Sequence, residues 1–198
     1  MAAALEEEGI SAFRFDFSGN GESEGTFYYG NFNSEADDDL HYVIQHLSDN
    51  MSRVVPVILG HSKGGDVVLL YATKYHRVNN VVNISGRFDL KKGVRLGDNY
   101  LERIKEEGFI DAVEGKIDKE CKVLTVHGSD DTLVPVEDAN EFAKIIPNHK
   151  LEIVQGANHG YTEHLSQLVS TVVVFIKTVI LEEQLVRLSL GNCSSSSS

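Results

Sequence analysis

Gly60-His61-Ser62-Lys63-Gly64 is the segment whose residue types point most directly to covalent chemistry. A serine used for acyl transfer must project its hydroxyl from a sharp turn, with little bulk two residues before and two after. Glycine supplies that at both places. The pentapeptide alone arises by chance in many chains. Here it directly follows the apolar run Val54 to Leu59 and directly precedes a helical pattern from Lys63 to about Tyr75. A helix starting at Lys63 directs its free N–H groups and the positive end of its dipole toward negative charge developing on a substrate oxygen. The competing reading is an ordinary glycine-rich turn, and a strand before with a helix after makes it the weaker one.

A serine hydroxyl needs a base, and the base needs a carboxylate to orient it. Two carboxylates occur together in His127-Gly128-Ser129-Asp130-Asp131-Thr132-Leu133-Val134-Pro135, just past the apolar run Lys122 to Val126. One of them is expected to be a turn or cap residue, and residue types alone leave Asp130 and Asp131 both open. Further on, Gly156-Ala157-Asn158-His159-Gly160 puts His159 in a tight turn after Lys150 to Val154. Of eight histidines, His159 stands out because serine, acid and histidine then follow the ends of successive strands in that order. His41, His46, His76 and His164 read as helix-face or surface residues.

The elements that must carry these residues alternate. A short helix over Ala2 to Glu8 ends at Gly9, and Ile10 to Phe17 reads as a strand with Phe13, Phe15 and Phe17 on one face. Ser18 to Asn33 is a glycine-, asparagine- and serine-rich loop, and Ser34 is placed to cap a helix Glu35 to Ser48 with an acidic first turn. Strands follow at Val54 to Leu59, Val81 to Ile84, Lys122 to Val126 and Lys150 to Val154. Helices are expected over Val136 to Ile146 and from Glu163 to about Leu188. This rhythm predicts an α/β fold, a mostly parallel sheet of about five strands flanked by helices. Residues 1–190 form a single domain in this reading, interrupted by a charged, lid-like insertion at about 87–115. A serine-rich tail, 191–198, reads as disordered.

These motifs resemble the α/β-hydrolase superfamily, and within it the plant esterase/lipase-like proteins related to serine aminopeptidases. The residues that carry the resemblance are GHSKGG (Gly60 to Gly65), HGSDDTLVP (His127 to Pro135), GANHG (Gly156 to Gly160) and DFSGNGESEG (Asp16 to Gly25). The resemblance implies Asp131 rather than Asp130 as the acid, the backbone N–H of Lys63 as an oxyanion donor, and no metal or organic cofactor. It also implies three further strands before the first one here, with a loop that supplies a second oxyanion donor. That motif has no counterpart in this sequence. The expectation is therefore a serine hydrolase acting on a carboxylic ester, amide or thioester. The alternative is a weakly active or inactive truncated hydrolase that binds a small molecule or protein.

Composition narrows the partners. The chain has 198 residues and a net charge of −12, which argues against nucleic acid and anionic membrane surfaces. Gly19 to Gly25 misses the spacing of a dinucleotide loop, and its two glutamates would repel phosphate. Two cysteines build no disulfide framework, so a reducing, cytoplasmic setting is expected. The N-terminus lacks an apolar core of signal-peptide length, and Val169 to Ile180 is too short to span a bilayer. Asn83, in an Asn-Ile-Ser triplet, is expected in a buried strand. The sequence contains no statement of oligomeric state.

Overall fold

The computed structural model describes residues 1–90, 113 and 116–194. Most of the expected insertion at 87–115, together with the tail 195–198, lies outside them. The chain divides into two compact units, Phe13–Leu165 and the chain ends (Met1–Ala12 with the residues from Ser166).

Within the larger unit, four strands form one parallel sheet in the order β1 (Ile58–His61), β2 (Asn80–Ile84), β3 (Lys122–Gly128), β4 (His149–Val154). Ile58, Val81 and Val123 share a register position and point into one apolar core. On that core pack a helical run over 32–50, here α2, in which α and π turns alternate, and α3 (Lys63–Lys74). Val67 and Leu69 of α3 and Ala36 and Ile44 of α2 are buried in it. Helix α4 (Val136–Ile145) packs on β3 and β4 through the buried Phe142. The expected α/β architecture, a parallel sheet flanked by helices, is what the chain forms.

Three local expectations are corrected. The rings of Phe13, Phe15 and Phe17 do follow one another (centroids 6.5 and 5.2 Å apart), but Ile10 to Phe17 is not a strand. A strand exists only where a neighbour completes its ladder. Among the described residues β1 is the sheet edge and pairs with β2 alone, so the sheet has four strands rather than five. β1 itself starts at Ile58, later than Val54. Pro56 has no N–H to donate, and its carbonyl accepts the Asn80 side-chain amide at 2.9 Å instead. Ser34 caps nothing, because the helical run already begins at Phe32 and Ser34 lies inside it.

The smaller unit holds α1 (Ala2–Glu7) and α5 (Leu165–Ser194), with Lys177 Nζ 2.5 Å from Glu8 Oε2. The apolar part of α5 is longer than the sequence suggests. Leu165–Ser189 is long enough to cross a bilayer and holds an 18-residue window of mean hydropathy 1.7, a test that core helices of soluble proteins also pass.

A polar network crosses the sheet interior. Asn83, fully buried, donates from Nδ2 to Thr125 Oγ1 (3.4 Å), and Thr125 Oγ1 lies 2.8 Å from His149 Nε2. Burial pushes the His149 pKa down to about 4 from an ordinary 6.5. The unfolded chain therefore binds the proton more tightly, and stability should fall as pH drops from about 6.5 to about 4, with the contribution complete above that window. Thermal unfolding by circular dichroism should show a shallower acid decline across this window in His149→Gln than in wild type. Equal slopes would remove His149 as the cause.

Candidate active site

Ser62 sits between the last residue of β1 and the first of α3, at φ 55° and ψ −122°. A non-glycine residue pays for such a conformation, so its surroundings must hold it there. They do so through backbone: the Ser62 N–H donates to Ile84 O (2.8 Å), and Ser62 O accepts from Gly65 N (2.9 Å). A Cβ on Gly60 would lie 1.9 Å from Gly64 O, so that glycine is obligatory. Gly64 differs from the expectation. A Cβ there meets nothing within 4 Å, so its smallness is not required by packing. What matters at 64 is the backbone, which fills the space where a Gly60 side chain would be.

Asp131 and His159 lie past the C-terminal ends of β3 and β4, the same edge of the sheet as Ser62. Asp131 Oδ2 accepts from His159 Nδ1 at 2.7 Å. Its other oxygen, Oδ1, accepts the amides of Leu133 (2.9 Å) and Val134 (2.8 Å). Burial alone would raise the Asp131 pKa, but the His159 hydrogen bond and the two amides outweigh it and hold the carboxyl below its ordinary range. Asp130 does the turn work instead, accepting from the Ser129 hydroxyl at 2.7 Å. The close approach of the two loops needs Gly128, where a Cβ would lie 2.2 Å from Ala157 O.

With Nδ1 engaged by Asp131, Nε2 is the ring atom left for proton transfer. Among the described residues no hydrogen bond joins Ser62 to His159. Such bonds are often long before substrate binds. What ties the two loops is the neighbour of the serine: His61 Nε2–H donates to His159 O at 2.9 Å, and the two rings lie 4.8 Å apart. Burial lowers the His61 pKa, favouring the neutral ring.

Several positioning residues carry no readable sequence signal. His127, fully buried, donates from Nε2 to Val134 O (2.9 Å) with Nε2 also 3.5 Å from Asp131 Oδ2, and so braces the acid loop. Desolvation lowers its pKa. Tyr161 adopts φ 53° two residues after His159, and its buried hydroxyl donates to Val126 O (3.0 Å) while lying 2.9 Å from Ser85 Oγ. Glu35, expected as part of an acidic first helix turn, is 3% exposed, with Oε1 2.6 Å from Lys63 Nζ. The Lys63 N–H heads α3 and, as the first residue of a helix, has no intrahelical acceptor.

A parallel sheet carrying a strained serine elbow and an Asp–His pair at one rim defines the α/β-hydrolase class, and solved structures agree. Est1E of Butyrivibrio proteoclasticus, with ferulic acid bound, superposes with a TM-score of 0.75 at 25% identity, over 91% of this chain and 81% of that one. The Pyrococcus furiosus esterase Pf2001 follows with a TM-score of 0.70 at 23% identity, over 88% and 73%, and shares the fold. By sequence, the putative uncharacterized protein YDL057W of Saccharomyces cerevisiae is 24% identical over 205 residues, 81% of this chain. This chain spans 62% of that relative's length. The family described as serine aminopeptidase, S33, matches residues 1–111, more than half of the sequence, and the chain belongs to that family of α/β hydrolases. The match includes Ser62 and stops before Asp131 and His159.

Proposed function

We propose that the chain is a serine hydrolase that cleaves a carboxylic ester through an acyl-enzyme on Ser62. The observation that carries the reading is the 2.7 Å Asp131–His159 pair at the sheet edge where the strained Ser62 also stands. In this reading Ser62 Oγ attacks the acyl carbonyl while His159 Nε2 takes its proton. Asp131 holds the imidazole with Nδ1 protonated and stabilises the imidazolium. The Lys63 amide donates to the oxyanion, His159 returns its proton to the leaving alcohol, and water activated by His159 releases the acid. The ferulic acid bound to Est1E supports a small organic acid as the acyl part of the substrate. The route uses no metal or organic cofactor. The −12 charge supports a small-molecule substrate over nucleic acid, and the low cysteine content supports a cytoplasmic setting.

A second reading, a binding module with weak or no turnover, is favoured by two observations. No hydrogen bond joins Ser62 and His159, and Lys63 supplies the one oxyanion amide assigned among the described residues. A fluorophosphonate probe separates the two. Wild type should be labelled at residue 62, and Ser62→Ala should abolish the signal. A folded wild type that stays unlabelled while binding esters would establish the module instead.

A further inference from the structure

The proposed chemistry uses the amide of Lys63 and leaves its side chain unexplained. That side chain runs from the elbow into α2 and is 15% exposed. Its ammonium donates to Glu35 Oε1 (2.6 Å) and to Tyr28 O (3.3 Å). The rings of Phe27, Tyr29 and Phe32 surround it at 5.7, 5.3 and 5.4 Å from their centroids. Glu35 Oε2 is buried without a hydrogen-bond partner among the described residues.

As a stability device this pair is poor. Taking two ions out of water costs about as much as their attraction returns, and an unsatisfied carboxylate oxygen adds to the cost. Nor does the ammonium place a net positive charge beside the serine, because Glu35 neutralises it. What the pair does supply is direction. Residue 63 is held through its backbone by the turn from β1 and through its side chain by a contact 28 positions earlier in the chain. Between those two anchors lies the Ser62–Lys63 peptide, whose plane decides where the Lys63 N–H points.

We propose that Glu35 is a positioning residue for the hydrolase reaction: by pinning the Lys63 ammonium inside the aromatic cage, it fixes the Ser62–Lys63 peptide and aims the Lys63 amide at the oxyanion. The inference rests on Ser62 being the nucleophile. A misplacement of about 1 Å at such a donor costs about 10²-fold in rate, so loosening the clamp is read in kcat while substrate affinity is spared.

The test uses the full chain, a fluorophosphonate probe and p-nitrophenyl acetate. The double substitution Glu35→Leu with Lys63→Met fills the cage with apolar side chains and removes the clamp without leaving a lone buried charge. It should melt within a few degrees of wild type. Its labelling rate and kcat should nevertheless fall about tenfold or more, with KM within about twofold. Lys63→Arg, which keeps the charge and the donors, should recover part of the loss. A folded double variant that labels and turns over at the wild-type rate overturns the positioning role and leaves the nucleophile assignment intact. If the double variant fails to fold, Glu35→Gln, which keeps the size and drops the charge, decides: a several-fold loss of kcat at unchanged KM supports the proposal, and no loss overturns it. Absence of Ser62 labelling in wild type defeats the underlying reading, and the inference with it.

Discussion

Asp131→Asn is expected to lower ester turnover by about 10⁴-fold while leaving the chain folded. The reason lies in how the two carboxylate oxygens are used. Oδ1 accepts two backbone amides, from Leu133 and Val134, and an asparagine must keep its carbonyl oxygen there or lose both bonds. That choice points the new NH₂ at His159 Nδ1, where Oδ2 now accepts at 2.7 Å. Facing a donor, Nδ1 must become the acceptor and the ring proton moves to Nε2. The imidazole then has no lone pair toward Ser62 and cannot act as base. Asp130→Asn should by contrast stay near wild type, because Asp130 contributes a turn hydrogen bond to Ser129. Steady-state kinetics and the fluorophosphonate rate measure both variants, with circular dichroism as the check on folding. A loss under tenfold at Asp131, or an equal loss at Asp130, would dismiss the acid assignment.

Gly60→Ala is expected to destabilise the fold by about 4 kcal/mol or more, or to prevent soluble expression. The added methyl would lie 1.9 Å from Gly64 O, 2.1 Å from Gly64 C and 2.6 Å from Gly65 N. All three are backbone atoms of the first turn of α3, so no side-chain rotation relieves the clash. Relief requires opening the β1–α3 turn, which would release Ser62 from φ 55° and break its bond to Ile84 O. Gly64→Ala reports the opposite. Its Cβ meets nothing within 4 Å, and alanine is favoured over glycine in a helix by about 1 kcal/mol. Stability should be unchanged or slightly raised. Urea unfolding of the two variants side by side makes the comparison, and a stable, normally labelled Gly60→Ala would contradict the elbow geometry.

How far the site can be read from the linear sequence depends on how local each cause is. β2 and β3 are evident because short runs rich in valine and isoleucine, each broken by a single polar residue (Asn83, Thr125), have few alternatives to a buried strand. The alternating phenylalanines of Ile10 to Phe17 do bring their rings together in succession, but the segment is not the strand that alternation predicts. Alternation reports side-chain direction, whereas a strand also needs a partner for its amides. Glu35 shows the same gap in another form. A carboxylate at a helix start has a sufficient local explanation in the dipole, and nothing nearby announces a lysine 28 positions later.

The amino-acid order by itself determined the α/β rhythm, the serine turn between a strand and a helix, and the succession of serine, acid and histidine after strand ends. These follow from short-range rules: hydrophobic period, glycine where backbone must come close, and free helix N–H groups. Tertiary structure alone decided that Gly60 and not Gly64 is sterically obligatory, that β1 is the sheet edge among the described residues, and that His61, His127, Tyr161 and Glu35 brace the loops and the elbow. Each of those outcomes depends on distances between segments remote in the chain, and packing sets such distances only when all the segments are in place together.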